Sequence, residues 1–201
     1  MSKYNESILT TAGLDLASRA ANGKTKFTIT RATSTEDDLT TISEEDLQKL
    51  TKLPNEVQTG VIANKDENIP NSNSVIGTEL LFTNNSLKKS YSINAVALYA
   101  KEDGKDNEIL YALTTAQQPE YMPDFADQVL LQFRLTIYVI VGRTENVEVT
   151  VDPTGMASKE YVDGKFGDID EKLGDLNTDD VISDADTLKQ LKMLNEFLEG
   201  K

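Results

Sequence analysis

The chain of 201 residues contains no cysteine, no histidine and no tryptophan. Without cysteine there is no disulfide framework, no thiol nucleophile and no thiolate metal site. Without histidine the commonest general base, the commonest metal ligand and the usual near-neutral pH switch are missing. Aromatic residues are only 6% of the chain. Most fall inside strand patterns, so the aromatic platform of a sugar-binding module is not evident. No apolar run reaches the roughly 20 residues that a membrane-spanning helix needs, so no membrane insertion is expected. The N-terminal MSKYNESILTT lacks the charged-then-apolar pattern of a secretory signal. The expectation is a chain made in a cytoplasm whose mature form starts at Met1. Basic side chains are scarce beside acidic ones, 20 against 34, for a net charge of −14. Nucleic acid, a polyanion, would be repelled and is not an expected partner.

What is present reads as globular: 38% hydrophobic and 27% charged residues. The length suits one domain with an appendage or two small domains. Residues 152–201 carry 13 acidic and 6 basic side chains and residues 1–151 carry 21 and 14, so each part holds a net of −7. The excess is densest in the last quarter, where it serves solubility or an acidic contact surface.

The first element reads as a helix, with Ile8, Ala12, Leu16 and Ala20 on one stripe and Leu9 and Ala17 beside it. Ser7 suits its N-cap and Asn22-Gly23 a left-handed end. Gly13 inside it costs about 1 kcal/mol against alanine, so the helix must gain from packing. KFTITR follows as a strand. Residues 43–53 form a second short helix, with Ser43 and Asp46 at capping-box spacing, Leu47, Leu50 and Leu53 on one side, and Pro54 as the stop. Residues 64–74 are polar and read as a loop.

From about residue 74 the period changes to two. VIGTELLF is one strand. YSINAVALYA is the next, with Tyr91, Ile93, Ala95, Ala97 and Tyr99 on one face and Val96 and Leu98 on the other. KEDGKDNE turns the chain and EILYALT returns. In 129–141 every odd position is apolar, from Val129 to Val141, which predicts a long antiparallel strand with one face in a core. Val147, Val149 and Val151 mark a last strand.

Asp152–Gly155 (DPTG) reads as a turn and a domain boundary. Beyond it Val162, Phe166, Ile169, Leu173 and Leu176 are spaced 4, 3, 4, 3, as in a coiled-coil seam. Thr187, Leu191, Leu194 and Leu198 repeat a 4, 3, 4 spacing. Three glycines weaken the first stretch, and helices this short are marginal alone in water. The stripe needs a partner, either its own domain or copies of itself; self-association is the expectation, because a narrow charged-flanked stripe suits it better than docking on a sheet. The fold class predicted is α+β, mainly β: an antiparallel β-sandwich-like domain with an N-terminal helix over 1–152, then C-terminal helices forming a short coiled coil over 153–201.

Catalysis finds little footing in the residue types. Serine hydrolysis would need a lysine or carboxylate base, and no signature for one appears. Acidic pairs such as Asp37-Asp38, Glu44-Glu45 and Asp179-Asp180 are formally able to serve a glycosidase, but in so acidic a chain they read as solvated faces or helix starts. Asp103, Asp106 and Glu108 in one turn, and Asp163, Asp168 and Asp170 near the seam, miss the twelve-residue calcium-loop spacing. No catalytic, metal or cofactor site is expected. Tyr121-Met122 in QQPEYMPDF stands out in a proline-flanked loop; it reads either as an interface anchor or as a loop plugging one end of the sandwich.

Several stretches, in order, resemble the N-terminal domain of phage tail-collar fibre proteins. They are ILTTAGLDLASRAANG, FTITRATS, LTKLPNEV, YSINAVALYAKEDGKDNEILYAL, PEYMP, the strand to Val141 and RTENVEVTVD, covering about residues 6–152. Ala97 stands where that pattern usually has glycine. MASKEYVD is similar to the joint where such fibres pass into a trimeric shaft. The resemblance implies a non-enzymatic virion protein of the tail or baseplate, made in the bacterial host cytoplasm. It implies a homotrimer that attaches a fibre or receptor-binding component to the tail, with other tail or baseplate proteins as partners. Only about 50 residues follow the matched part, so the expectation is either that a downstream component carries host adsorption, with a surface glycan as its target, or that the chain is a shortened fibre. The alternative expectation is a carbohydrate-binding receptor module.

Overall fold

A computed structural model of the chain describes residues 2–67, 69, 72–152 and 192. The chain divides into two compact units, Met1–Ala157 and Ser158–Lys201, and the first carries the described strands and helices. Its elements in chain order are β1 (Lys3–Tyr4), β2 (Ile8–Leu9), α1 (Thr11–Ala21), β3 (Phe27–Thr35), α2 (Glu44–Gln48), β4 (Glu56–Asp66), β5 (Val75–Thr83), β6 (Tyr91–Glu102), β7 (Glu108–Met122), β8 (Gln132–Ile140) and β9 (Val147–Val149).

The helix starts later than its apolar stripe. Ile8 and Leu9 pair with Leu113 and Ala112 of β7, so Thr10 rather than Ser7 caps α1, accepting from Gly13 N. Extended pairing wins there because β7 offers a free ladder side. The far end closes as the sequence indicates. Gly23 has φ +66°, and Gly23 N and Lys24 N donate to Ala20 O and Arg19 O, which together make a Schellman cap. Leu16, Ala17 and Ala20 turn inward.

The strands form one sheet in the order β1-β7-β6-β3-β4-β5-β8, with β2 also on β7 and β9 also on β3. All pairs are antiparallel except β3–β9. The sheet curls into a half-barrel. This corrects the expected sandwich. β4 is the reason: Glu56–Gly60 pair with β3, and Val61–Asp66 pair with β5. One strand thus serves both halves, and the sheet bends at Gly60–Val61 instead of splitting into two layers. Where β4 leaves β3, the parallel strand β9 fills the gap, and Thr150 N and Asp152 N donate to Ile29 O and Ile62 O. The sequence did not mark 56–66 as a strand. Its alternation is weak because most of its side chains are only partly covered.

The concave side and α1 enclose the main core, around Phe27, Ile29, Leu80, Phe82, Leu98 and Tyr111. A second core lies on the opposite face of β6 and β7, under α2 and its flanking loops, with Leu39, Leu47, Leu53, Tyr99, Leu110 and Leu113. α2 stops at Gln48, yet Leu47, Leu50 and Leu53 still converge there. Both faces of β6 are therefore buried, and its phase slips. The register shifts between Ile93 and Ala95, so Tyr91 and Ile93 share the main core with Val96, Leu98 and Ala100, while Ala95, Ala97 and Tyr99 enter the second. The face assigned from strict alternation is thus split at Asn94.

Among the described residues the α-helices are α1 and α2, and they form no coiled coil. The predicted C-terminal coiled coil is therefore no part of the observed architecture. The seam residues Val162, Phe166, Ile169, Leu173, Leu176, Leu191, Leu194 and Leu198 lie outside the described residues.

Candidate functional site

The two ends of the half-barrel come together without a backbone ladder. At one end stand β1 and β2, held on β7; at the other stands β8, held on β5. Their contacts are side-chain contacts. The Tyr4 and Phe133 rings stack with centroids 6.0 Å apart. Ser7 Oγ donates to Tyr138 O at 2.5 Å, and Tyr111 OH donates to Ile140 O at 2.5 Å. Burial pushes the Tyr4 and Tyr111 phenols above their ordinary range, so both remain protonated donors at any physiological pH.

The polarity of β8 follows from its ladder. Val141 N donates to Ser74 O and Asn84 N donates to Leu131 O. Hydrogen-bonded pairs alternate along an antiparallel ladder, so odd residues from Leu131 to Val141 direct N–H and C=O at β5. Arg134, Thr136, Tyr138 and Ile140 direct theirs to the open side. Among the described residues β5 is the strand partner of β8, and the hydroxyls of Ser7 and Tyr111 reach the open-side carbonyls of Tyr138 and Ile140.

A groove of about 520 Å³ runs along this open side. Leu135, Ile137 and Ile8 line its floor, with Leu14, Tyr138 and Ile140 above them. Glu6 and Glu44 also line it, both exposed, and among the described residues no lysine or arginine does. Tyr138 and Ile140 are each more than half exposed. The even face of β8, the one opposite the core, is therefore partly apolar where a solvated face would be polar.

The apolar surface continues before the strand. Pairing begins at Gln132, not at residue 129, because Asn84 takes hold of this stretch. Its Nδ2 donates to Asp124 O and Val129 O, and its Oδ1 accepts from Leu131 N at 2.7 Å. Gln128 turns the chain at φ +55°. Val129, Leu130 and Leu131 are left exposed, at 64%, 54% and 43%.

Tyr121 and Met122 lie not in a loop but at the end of β7, where they pair with Ser92 and Tyr91. Neighbouring strand residues face opposite ways, so Met122 is buried in the main core and Tyr121 is 61% exposed. The two do not present one surface. Of the acidic turn, Glu108 is held by Thr30 and Arg31, and Lys101 pairs with Asp106. Asp163, Asp168 and Asp170 lie outside the described residues. Among the described residues no group of three or more acidic side chains is placed to hold a metal ion, and no helix is long and apolar enough to cross a membrane.

The open side of β8, with Ser7, Tyr138 and Ile140, was not singled out from the sequence. The available signal was the even face of 132–140, where Tyr138 and Ile140 break the polar alternation, preceded by three consecutive apolar residues. Compared with known proteins, the chain matches no family model, no curated protein and no solved structure.

Proposed function

We propose that the chain is a structural component of a phage tail in which residues 1–152 attach a fibre or receptor-binding component to the virion. In this reading the partners are other tail or baseplate proteins and further copies of the chain, three by the family likeness, and the domain performs no catalysis. The supporting observation is the run of exposed apolar side chains along the open end of the sheet, Val129, Leu130, Leu131, Tyr138 and Ile140. Exposed apolar surface of this kind marks contact with another macromolecule. The stretches that resemble tail-collar fibre proteins include β6, its turn and β7, the hairpin that carries both cores. Repeated copies would turn modest contacts into a firm attachment through avidity.

Mass spectrometry of density-purified particles from a producing culture tests this reading. The chain is expected at a fixed copy number per particle, and Leu130→Lys is expected to lower that number while leaving the domain folded. Absence of the chain from purified particles would reject the proposal. A second reading, glycan binding, draws on the exposed ring of Tyr121. Glycan-array binding that disappears in Tyr121→Ala would favour it over attachment.

A further inference from the structure

The geometry points to the groove beside β8 as a receptor for one extended peptide segment of another protein, which adds to the sheet as a strand and carries apolar residues and at least one lysine or arginine. This deepens the attachment reading, on which it rests, by naming the chemistry of the partner.

Three features specify that occupant. The first is backbone chemistry. Arg134, Thr136, Tyr138 and Ile140 present N–H and C=O groups to the open side in the repeat of a strand edge, and among the described residues no ladder meets them. Only another extended chain matches such a row, and exposed edges are where peptides add as strands. The second is the side-chain pattern. Leu135 and Ile137 on the floor and Tyr138 and Ile140 above it ask for apolar groups on the incoming chain. The third is charge. Glu6 and Glu44 line the groove, and among the described residues no cation does, so a basic residue is favoured there and an acidic one is repelled.

The size of the opening selects a peptide over a second folded copy. The groove holds about 520 Å³, within the range of sites for small ligands and short segments. β1 and β2 stand across it, close enough for Ser7 Oγ to reach Tyr138 O. A second half-barrel bringing its whole sheet would meet that wall, whereas a single segment needs only the Ser7 and Tyr111 side chains to give way. Ser7 then acts as a stand-in. Its hydroxyl occupies the Tyr138 carbonyl that an incoming N–H would use, the Tyr111 hydroxyl occupies that of Ile140, and binding exchanges these donors for backbone N–H groups.

The test uses the full chain and a capped peptide of alternating valine and threonine with a lysine at each end. In the free protein, amide exchange read by NMR is expected to be fast at Arg134, Thr136 and Tyr138 and slow at Leu135, Ile137 and Val139. The lysine-ended peptide should slow exchange at the first three, and a glutamate-ended peptide of the same core should bind at least about fivefold more weakly, the effect of roughly two screened charge contacts. Glu6→Lys with Glu44→Lys should reverse that preference without touching the core. Ser7→Ala should tighten binding about threefold by removing the competing donor. Thr136→Pro, which deletes an outward N–H at a position where an edge strand tolerates proline, should abolish binding. Equal exchange at odd and even residues of free β8, or no protection by millimolar peptide, overturns the inference. If particle incorporation survives the Glu6→Lys, Glu44→Lys double variant while Leu130→Lys abolishes it, attachment stands and uses another part of the surface, and the groove assignment fails alone.

Discussion

Gly13 sits in the first turn of α1, where helix propensity alone would favour alanine by about 1 kcal/mol. A methyl group there would lie 2.1 Å from the carbonyl oxygen of Tyr111. That oxygen belongs to β7 backbone and accepts from Thr10 N at 3.0 Å, so it cannot yield as a side chain would. Overpacking of this kind costs about 1–3 kcal/mol and should reverse the sign. Gly13→Ala is expected to destabilise the domain by about 1 kcal/mol net, read as a lower urea midpoint; a raised midpoint would mean that α1 does not press on β7 at this point. Glu102 argues from charge instead. Arg19 of α1, and after it Lys105, hold its carboxylate at about 2 instead of the ordinary 4.5. A lowered value in the folded state means that the stabilisation is complete above about pH 4.5 and is lost as pH falls towards 2. Glu102→Gln should therefore be less stable than the parent at pH 7, by about 1 kcal/mol for a largely buried charge-assisted bond. The two melting curves should converge near pH 2. A gap that stays constant with pH would show that the ion pair is not its source.

At the scale of elements, Asn84 decides where β8 begins. Its side chain is buried and spans Asp124, Val129 and Leu131, so it does for residues 124–131 what a ladder does for a strand. Asn84→Ala removes the partner of those part-buried groups and opens a cavity where the buried amide stood, and an unmet buried group costs about 1–3 kcal/mol. A loss of about 3 kcal/mol is expected, with protease cleavage appearing between residues 124 and 131 before global unfolding; unchanged cleavage would show that the segment is held by other means. No local pattern could have announced this clasp, because its two sides are 40 to 47 residues apart in the chain. An element with one buried face was legible: the core-facing positions Ile137 and Val139 in β8 and Val141 just after it follow their period. β6 was legible as a strand but not in its faces, since with a core on both sides polarity carries no phase and the slip at Asn94 has no sequence mark. β4 was missed because a strand that changes partner half-way buries neither face continuously. The open side of β8 was obscured for a related reason: its key groups are backbone, and backbone direction depends on a register set by β5.

For the molecule as a whole, the half-barrel has one place where its two halves are held by a strand from far along the chain. β9 lies against Phe27–Ile29 of β3, and the residues after it reach β4 through Asp152 N. Lys65 Nζ donates to Val147 O from the β4 side. Val147 is buried in the main core, and full burial of such a side chain contributes about 1.5–3 kcal/mol. The backbone bonds to Ile29 and Ile62 add to that, and losing β9 would also uncover Phe27 and Ile62 to water. A chain ended at Asp152 keeps all of these contacts, whereas one ended at Asn146 keeps none. The first should melt cooperatively near the temperature of the parent. The second should lose at least about 3 kcal/mol and show a broadened transition by circular dichroism, because the β4–β5–β8 half then joins the rest only through the bend at Gly60 and the side chains that β8 shares with Tyr4, Ser7, Tyr111 and the main core. If both truncated chains melt alike, β9 is a passenger on a sheet that the bend of β4 and the contacts of β8 with Tyr4, Ser7 and Tyr111 already hold together.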